Sequence, residues 1–181
     1  LELLWFTLLA FNIAPFGFYI LYMKRIAKNR TWNIKIDSSY EPDISIIIPT
    51  YNEGSTITGK LDSILEADYP KDKMEILIVD GASTDETANL VHRWSAEHPE
   101  VKVKIVREEE RTWKVKALNY GLKHAVGEVI VTTDADCMCH KDSFRNAVKY
   151  LADPTVAVVA GLHIIKARKE NMSVKVEKTY R

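Results

Sequence analysis

The run VIVTTDADCMCH, from Val129 to His140, places two carboxylates one residue apart directly after a β-branched stretch. Like charges so close repel, and each resists desolvation unless a cation sits between or beside them. In a loop just past a strand, alternate residues point the same way. Asp134 and Asp136 can then share one hard cation through oxygen ligands, with Mg2+ or Mn2+ completing its shell from phosphate oxygens and water. The ordinary alternative is an Asx-turn or a helix cap leading into Lys141 and beyond, since D-x-D alone is a common triplet.

The elements around this pair determine where it stands. From Asp43 onward, short β-branched runs alternate with stretches of helical spacing. ISIII (44 to 48), EILIV (75 to 79), VKVKIV (101 to 106), EVIVT (128 to 132) and VAVVA (156 to 160) read as strands, and the richest in Ile and Val suit burial on both faces. Helical spacing covers 54 to 67, 84 to 97, 114 to 125 and 142 to 151, with Ser83-Thr84-Asp85-Glu86 as a cap and first-turn acids. Strand alternating with helix predicts an α/β fold with a mostly parallel sheet flanked by helices.

Ligands bind such sheets at the carboxyl ends of the strands, so the residues there are the candidates. They are PTYNEG (49 to 54), DGASTD (80 to 85), REEERTWKVK (107 to 116) and TDADCMCH (133 to 140). Asp80 can accept hydrogen bonds from a base or ribose, or simply form the DGAS turn. Thr50-Tyr51-Asn52-Glu53 offers an aromatic ring to line a base pocket and polar groups to orient the base. Lys114 and Lys116, at the start of KVKALNYG, can meet a diphosphate, although a solvated helix face explains either one. Arg107 and Arg111 are further candidates, offset by Glu108-Glu109-Glu110 between them. Cys137, Cys139 and His140 lack a second cysteine pair at ligand spacing, so a structural zinc has no fourth protein ligand. The cysteines read as small buried hydrophobes, and His140 as a residue leading into a helix.

The chain has 181 residues, 46% of them hydrophobic, with 25 Lys and Arg against 25 Asp and Glu. That length suits one full core, and the zero net charge argues against nucleic-acid binding. Residues 1 to 23, LELLWFTLLAFNIAPFGFYILYM, are almost wholly apolar. At about 1.5 Å per residue they reach roughly 30 Å, so one N-terminal transmembrane helix is expected over 1–23. The basic connector over 24–42 begins with Lys24, Arg25, Lys28 and Arg30, which predicts a cytoplasmic location for everything after the membrane. The remaining domain occupies 43–181. A first residue that is not Met and a last stretch, KVEKTYR, without a closing element lead us to expect a piece of a longer protein.

Taken together and in order, DISIIIPTYNE (43 to 53), YPKDKMEILIVDGASTDET (69 to 87), KVKALNYGL (114 to 122) and VIVTTDADC (129 to 137) resemble the family 2 glycosyltransferases of GT-A fold. The resemblance implies a nucleotide-sugar donor held by Thr50, Tyr51, Glu53, Asp80, Lys114 and Asp134, with Asp134 and Asp136 at the metal, Mg2+ or Mn2+. It also implies a membrane-bound, inverting transfer from a UDP- or GDP-sugar to a lipid or polysaccharide acceptor. VDGASTD replaces the commoner VDDGSTD, leaving Gly81 where a second acid often sits. The family's catalytic base falls well downstream of D-x-D and is expected beyond Arg181. A membrane-tethered nucleotide-sugar binder without catalysis is the competing reading. An aspartyl phosphatase of the D-x-D-x-[TV] type is disfavoured by Met138, and a P-loop nucleotidase by the lack of its motif.

Overall fold

Every residue of β1 (Ile44–Thr50) except Pro49 is buried, and every residue of β2 (Met74–Asp80) except Glu75. Near-continuous Ile and Val runs require this, because a strand apolar on both sides must be covered on both sides. The computed structural model that shows it describes residues 2–29 and 33–161. It divides into two units, Leu1–Ile34 and Lys35–Arg181.

The second unit holds a parallel four-stranded sheet in the order β3-β2-β1-β4, with β3 at Lys102–Arg107 and β4 at Val129–Thr132. Thr50, Asp80 and Arg107 lie in one cross-strand row, and Ile47 pairs with Thr132. On one face, Ile46, Ile48, Ile76 and Ile78 pack in one cluster with residues of α2 (Ile57–Leu65), α3 (Thr87–Glu97) and α5 (Ser143–Leu151). On the other face, Ile47, Leu77 and Val79 meet Ala117 of α4 (Lys114–Leu122). The chain winds outward through β1, β2 and β3, and α4 then carries it back to β4 on the far side of β1. That reversal opens a crevice between the ends of β1 and β4, the usual ligand position in open α/β sheets.

Two glycines let this crossover close. A Cβ on Gly121 would stand 2.7 Å from Ile47 Cγ2 and 2.8 Å from Val79 Cγ2. One on Gly127 would stand 2.6 Å from the Ser45 nitrogen. The Gly127 N–H donates to Ser45 Oγ at 2.7 Å and the Val126 N–H to Glu75 Oε1 at 2.8 Å, anchoring the turn into β4.

Several expectations change. The stretch 156–160 forms no ladder among the described residues, and Val158 is 81% exposed. A β-branched run becomes a strand only where a neighbour supplies hydrogen bonds. The third helix starts at Thr87 rather than 84, because Ser83, Thr84 and Asp85 are used in loop hydrogen bonds instead. Residues 35–42 of the connector are held within the second unit: the Lys35 N–H donates to Asp153 Oδ2 at 2.7 Å, and the Tyr69 hydroxyl to the Pro42 carbonyl at 2.5 Å. Burial pushes the Tyr69 hydroxyl up to about 12.

The N-terminal unit contains α1 (Glu2–Asn29), so the apolar run is helical and the helix continues into the basic segment. The transmembrane expectation is corrected: among the described residues no helix is long and apolar enough to cross a membrane. The part of α1 with described side chains contains Asn12 and Pro15 and runs into Lys24, Arg25 and Lys28. Trp5, Phe11, Phe16, Phe18 and Leu21 are exposed on it.

Gly121→Ala is expected to destabilise the protein by about 1–3 kcal/mol, the range for overpacking a filled interface. A urea midpoint unchanged from the parent would refute the close packing of α4 on the sheet.

Candidate functional site

Two loops, after β1 and after β2, meet at the carboxyl edge of the sheet, and their own side chains lace them together. After β1, the Asn52 N–H donates to Ser83 Oγ at 3.0 Å, and Asn52 Oδ1 accepts from the Thr84 N–H at 2.9 Å. After β2, Asp85 Oδ2 accepts from the Gly54 N–H at 3.0 Å, while Oδ1 accepts from the Thr87 N–H at 3.0 Å and from the Thr87 hydroxyl. The Thr87 hydroxyl bond is the main cause that holds the Asp85 carboxyl below its ordinary value. Asn52 and Ala82 both take left-handed backbone conformations, with φ of 55° and 57°. Asn tolerates that region, whereas for Ala it costs roughly 1–2 kcal/mol.

Asp80 is 1% exposed. Its Oδ1 accepts from the Ser83 N–H at 3.1 Å, and its Oδ2 has no hydrogen-bond partner, with Arg107 Nε 3.7 Å away as an ion pair. Arg107 also donates to the Ser83 carbonyl at 3.1 Å, so it braces the loop around this acid. Thr50 is buried against the Val79 carbonyl at 3.4 Å. Tyr51 is half-buried, with the Arg111 guanidinium 3.8 Å from its ring centre, a cation–π contact. Glu53 turns toward α2, where its Oε2 accepts from the Thr56 hydroxyl at 2.7 Å.

At the end of β4, Asp134, Asp136 and Cys137 bring one ligand atom each to within 4.8 Å of one another. Asp136 is exposed and Asp134 half-buried. Two carboxylate oxygens on a partly open edge suit a hard divalent cation. The Cys137 thiol, a soft ligand, suits such an ion poorly; burial, then the Asp136 charge, push it up. Lys114 Nζ forms an ion pair with Asp134, so a cation already stands beside the pair. Lys116 is exposed on α4. Thus Asp134, Asp136 and Lys114 share one locus, and Thr50, Tyr51 and Asp80 another along the same edge, while Glu53 is tied into the helix start.

Neither cysteine is the buried hydrophobe expected: both are half-buried, and Cys139 Sγ accepts from Lys60 Nζ at 3.3 Å. His140 is exposed and leads into α5 beside Asp142.

Lys60 is the residue that sequence reasoning passed over. It is fully buried on α2, and its ammonium donates to Thr133 Oγ1 at 2.8 Å, to the Cys137 carbonyl and to Cys139 Sγ. These three bonds hold both flanks of the acidic triplet. A signal did exist: Ile57, Lys60, Leu61 and Ile64 follow i, i+3, i+4, i+7, which puts a lysine in an apolar stripe where that residue type is rarely found without a partner.

A parallel sheet with a chain reversal beside β1, a buried acid at the end of β2 and an acidic pair after β4 defines an α/β unit of GT-A type. The family model described as Glycosyl transferase family 2 matches residues 45–178. A dolichyl N-acetyl-alpha-D-glucosaminyl phosphate 3-beta-D-2,3-diacetamido-2,3-dideoxy-beta-D-glucuronosyltransferase of Methanococcus voltae is 37% identical over 140 residues, covering 75% of this chain and 43% of its own. Among solved structures, a mannosyltransferase from Pyrobaculum calidifontis in complex with GDP-Man and Mn2+ superposes with a TM-score of 0.74 at 46% identity, covering 82% of this chain and 44% of its own. TarS of S. aureus in complex with UDP-GlcNAc gives 0.52 at 31% identity, covering 57% of this chain and 29% of its own. The chain belongs to glycosyl transferase family 2, and it spans less than half the length of these relatives.

Two stability measurements test the loop analysis. Lys60→Met removes the three bonds that brace the acidic loop from below and is expected to cost about 1–3 kcal/mol in urea unfolding. Ala82→Gly relieves the left-handed strain and is expected to raise stability by roughly 1 kcal/mol; a loss instead would contradict the backbone conformation.

Proposed function

We propose that this chain is the donor-binding part of a glycosyltransferase that moves a sugar from a UDP- or GDP-sugar to a lipid or polysaccharide acceptor, with inversion and with Mg2+ or Mn2+. The observation that carries this reading is the Asp134 and Asp136 pair, its ligand atoms within 4.8 Å, at the mouth of the crevice that the chain reversal opens. The P. calidifontis mannosyltransferase, in complex with GDP-Man and Mn2+, supports both the donor class and the metal.

In this reading Asp134 and Asp136 hold the ion. When bound, the ion neutralises the charge that develops on the diphosphate as the sugar leaves. Lys114, at the start of α4 and already beside Asp134, supplies further positive charge at the same place. Tyr51 forms one wall of the base site, and Asp80 offers Oδ2, which has no hydrogen-bond partner, to a donor of the nucleotide. Thr50 and Glu53 shape the loop that presents Tyr51. Inversion further requires a base that takes the proton of an acceptor hydroxyl attacking from the opposite face. No described residue is assigned that role.

The exposed aromatic and aliphatic side chains of α1, followed by Lys24, Arg25 and Lys28, support association of this helix with a membrane surface, and the basic residues fit the anionic cytoplasmic face.

Asp136→Ala, in the intact protein, is expected to lower transfer about 100-fold or more, the usual loss when one preorganised charge-stabilising group is removed. Release of nucleoside diphosphate reports the rate, and thermal unfolding reports the fold, which an exposed side chain should leave unchanged. Full turnover in this variant would end the metal assignment.

A further inference from the structure

The buried carboxylate of Glu108 has no part in the reading above. The Glu108 N–H donates to the Asp80 carbonyl at 2.8 Å, as the Gly81 N–H donates to the Thr50 carbonyl at 2.9 Å. These bonds close the last row of the sheet, Thr50, Asp80 and Arg107, and leave Gly81 and Glu108 side by side just beyond it. A Cβ on Gly81 would lie 3.5 Å from Glu108 Oε2 and 4.0 Å from Tyr51 Cβ. The space that an acid at position 81 would use is therefore bordered by an acid from the loop after β3.

That acid is built in rather than solvated. Glu108 is 9% exposed, its Oε1 accepts from the Thr112 hydroxyl at 2.6 Å, and its Oε2 is buried with no hydrogen-bond partner. Buried polar atoms are seldom left so, and an orphan oxygen beside a binding groove points to a donor on the ligand. Glu108 also lines an open groove with Glu109, Glu110, Thr112 and Tyr120.

We propose that Glu108 Oε2 reads the base of the sugar donor and that this base is guanine. The inference rests on the nucleotide-sugar reading. The strand order places the acidic pair of β4 at one end of the edge and Glu108, after β3, at the other. With strands about 4.8 Å apart, the two lie roughly 14 Å from each other, so a diphosphate held at β4 directs its ribose toward β1 and its base toward β2 and β3. Guanine suits the far end on two grounds. Its second ring reaches further than a pyrimidine, and its N1–H and N2–H groups stand side by side as donors to a carboxylate, which only accepts. Uracil offers one N–H between two carbonyl oxygens, and those would face the carboxylate unfavourably. A site built around a buried acceptor rejects ligands that leave it unpaired.

Calorimetric titration of the intact protein with GDP, inosine diphosphate and UDP, at saturating Mn2+, tests this. GDP is expected to bind about tenfold or more tightly than either of the others, inosine diphosphate lacking only the 2-amino group. In Glu108→Ala the gap between GDP and inosine diphosphate should close to about twofold, with UDP unchanged and thermal unfolding confirming the fold. If that variant does not fold, the three nucleotides on the parent protein decide. Equal affinity for GDP and UDP, or for GDP and inosine diphosphate, overturns the assignment to Glu108. Failure of all three to bind overturns the nucleotide-sugar reading beneath it.

Discussion

Two carboxylates after one strand would repel the loop that carries them apart, and the structure around β4 is organised against that repulsion. Lys60 reaches from α2 through the core to bind the Thr133 hydroxyl, the Cys137 carbonyl and the Cys139 sulfur, gripping the loop on both sides of Asp134 and Asp136. A buried ammonium is costly unless every proton finds an acceptor, and here all three do. Lys114 adds a second cation from the opposite helix layer. The acidic pair is thus preorganised, with most of its positioning cost met by folding rather than by binding.

The sheet makes this arrangement possible through its order. Because α4 carries the chain from the β3 edge back past β1, residues far apart in sequence share one edge: Tyr51, Asp80, Arg107 and Asp134 come from four different strand ends. The close approach of Gly121 to Ile47 and Val79 brings α4 low enough for Lys114 to meet Asp134. The first two loops are then fixed by hydrogen bonds between them, and two residues with left-handed backbone sit in those loops, which is where strain concentrates in binding sites.

Membership of the family leaves room for variation along that edge. This chain has Gly81 and Ala82 after its buried acid, and both choices have consequences. Ala82 holds a left-handed conformation that glycine would hold without strain. Gly81 carries no side chain, and the carboxylate of Glu108 lies beside the space.

Period and residue type alone established the alternation of strand and helix, the parallel sheet, the approximate place of four strands and four helices, and the strand-end loops as the candidate site. Those features are local, and a β-branched run or an apolar stripe declares itself within a few residues. The fifth expected strand at 156–160 was not legible in this way, because strand formation depends on a partner that no local pattern specifies. Nor did sequence order show that Lys60 lies under the acidic loop, that Glu53 turns to Thr56, or that Glu108 keeps an unpaired oxygen beside Gly81. The Lys60 contacts join segments that meet only through the chain reversal at β1, and the Glu108 contact rests on the packing of the β2 and β3 ends, so the tertiary structure decided both; the Glu53 bond is local and turns on a side-chain rotamer that residue type does not specify.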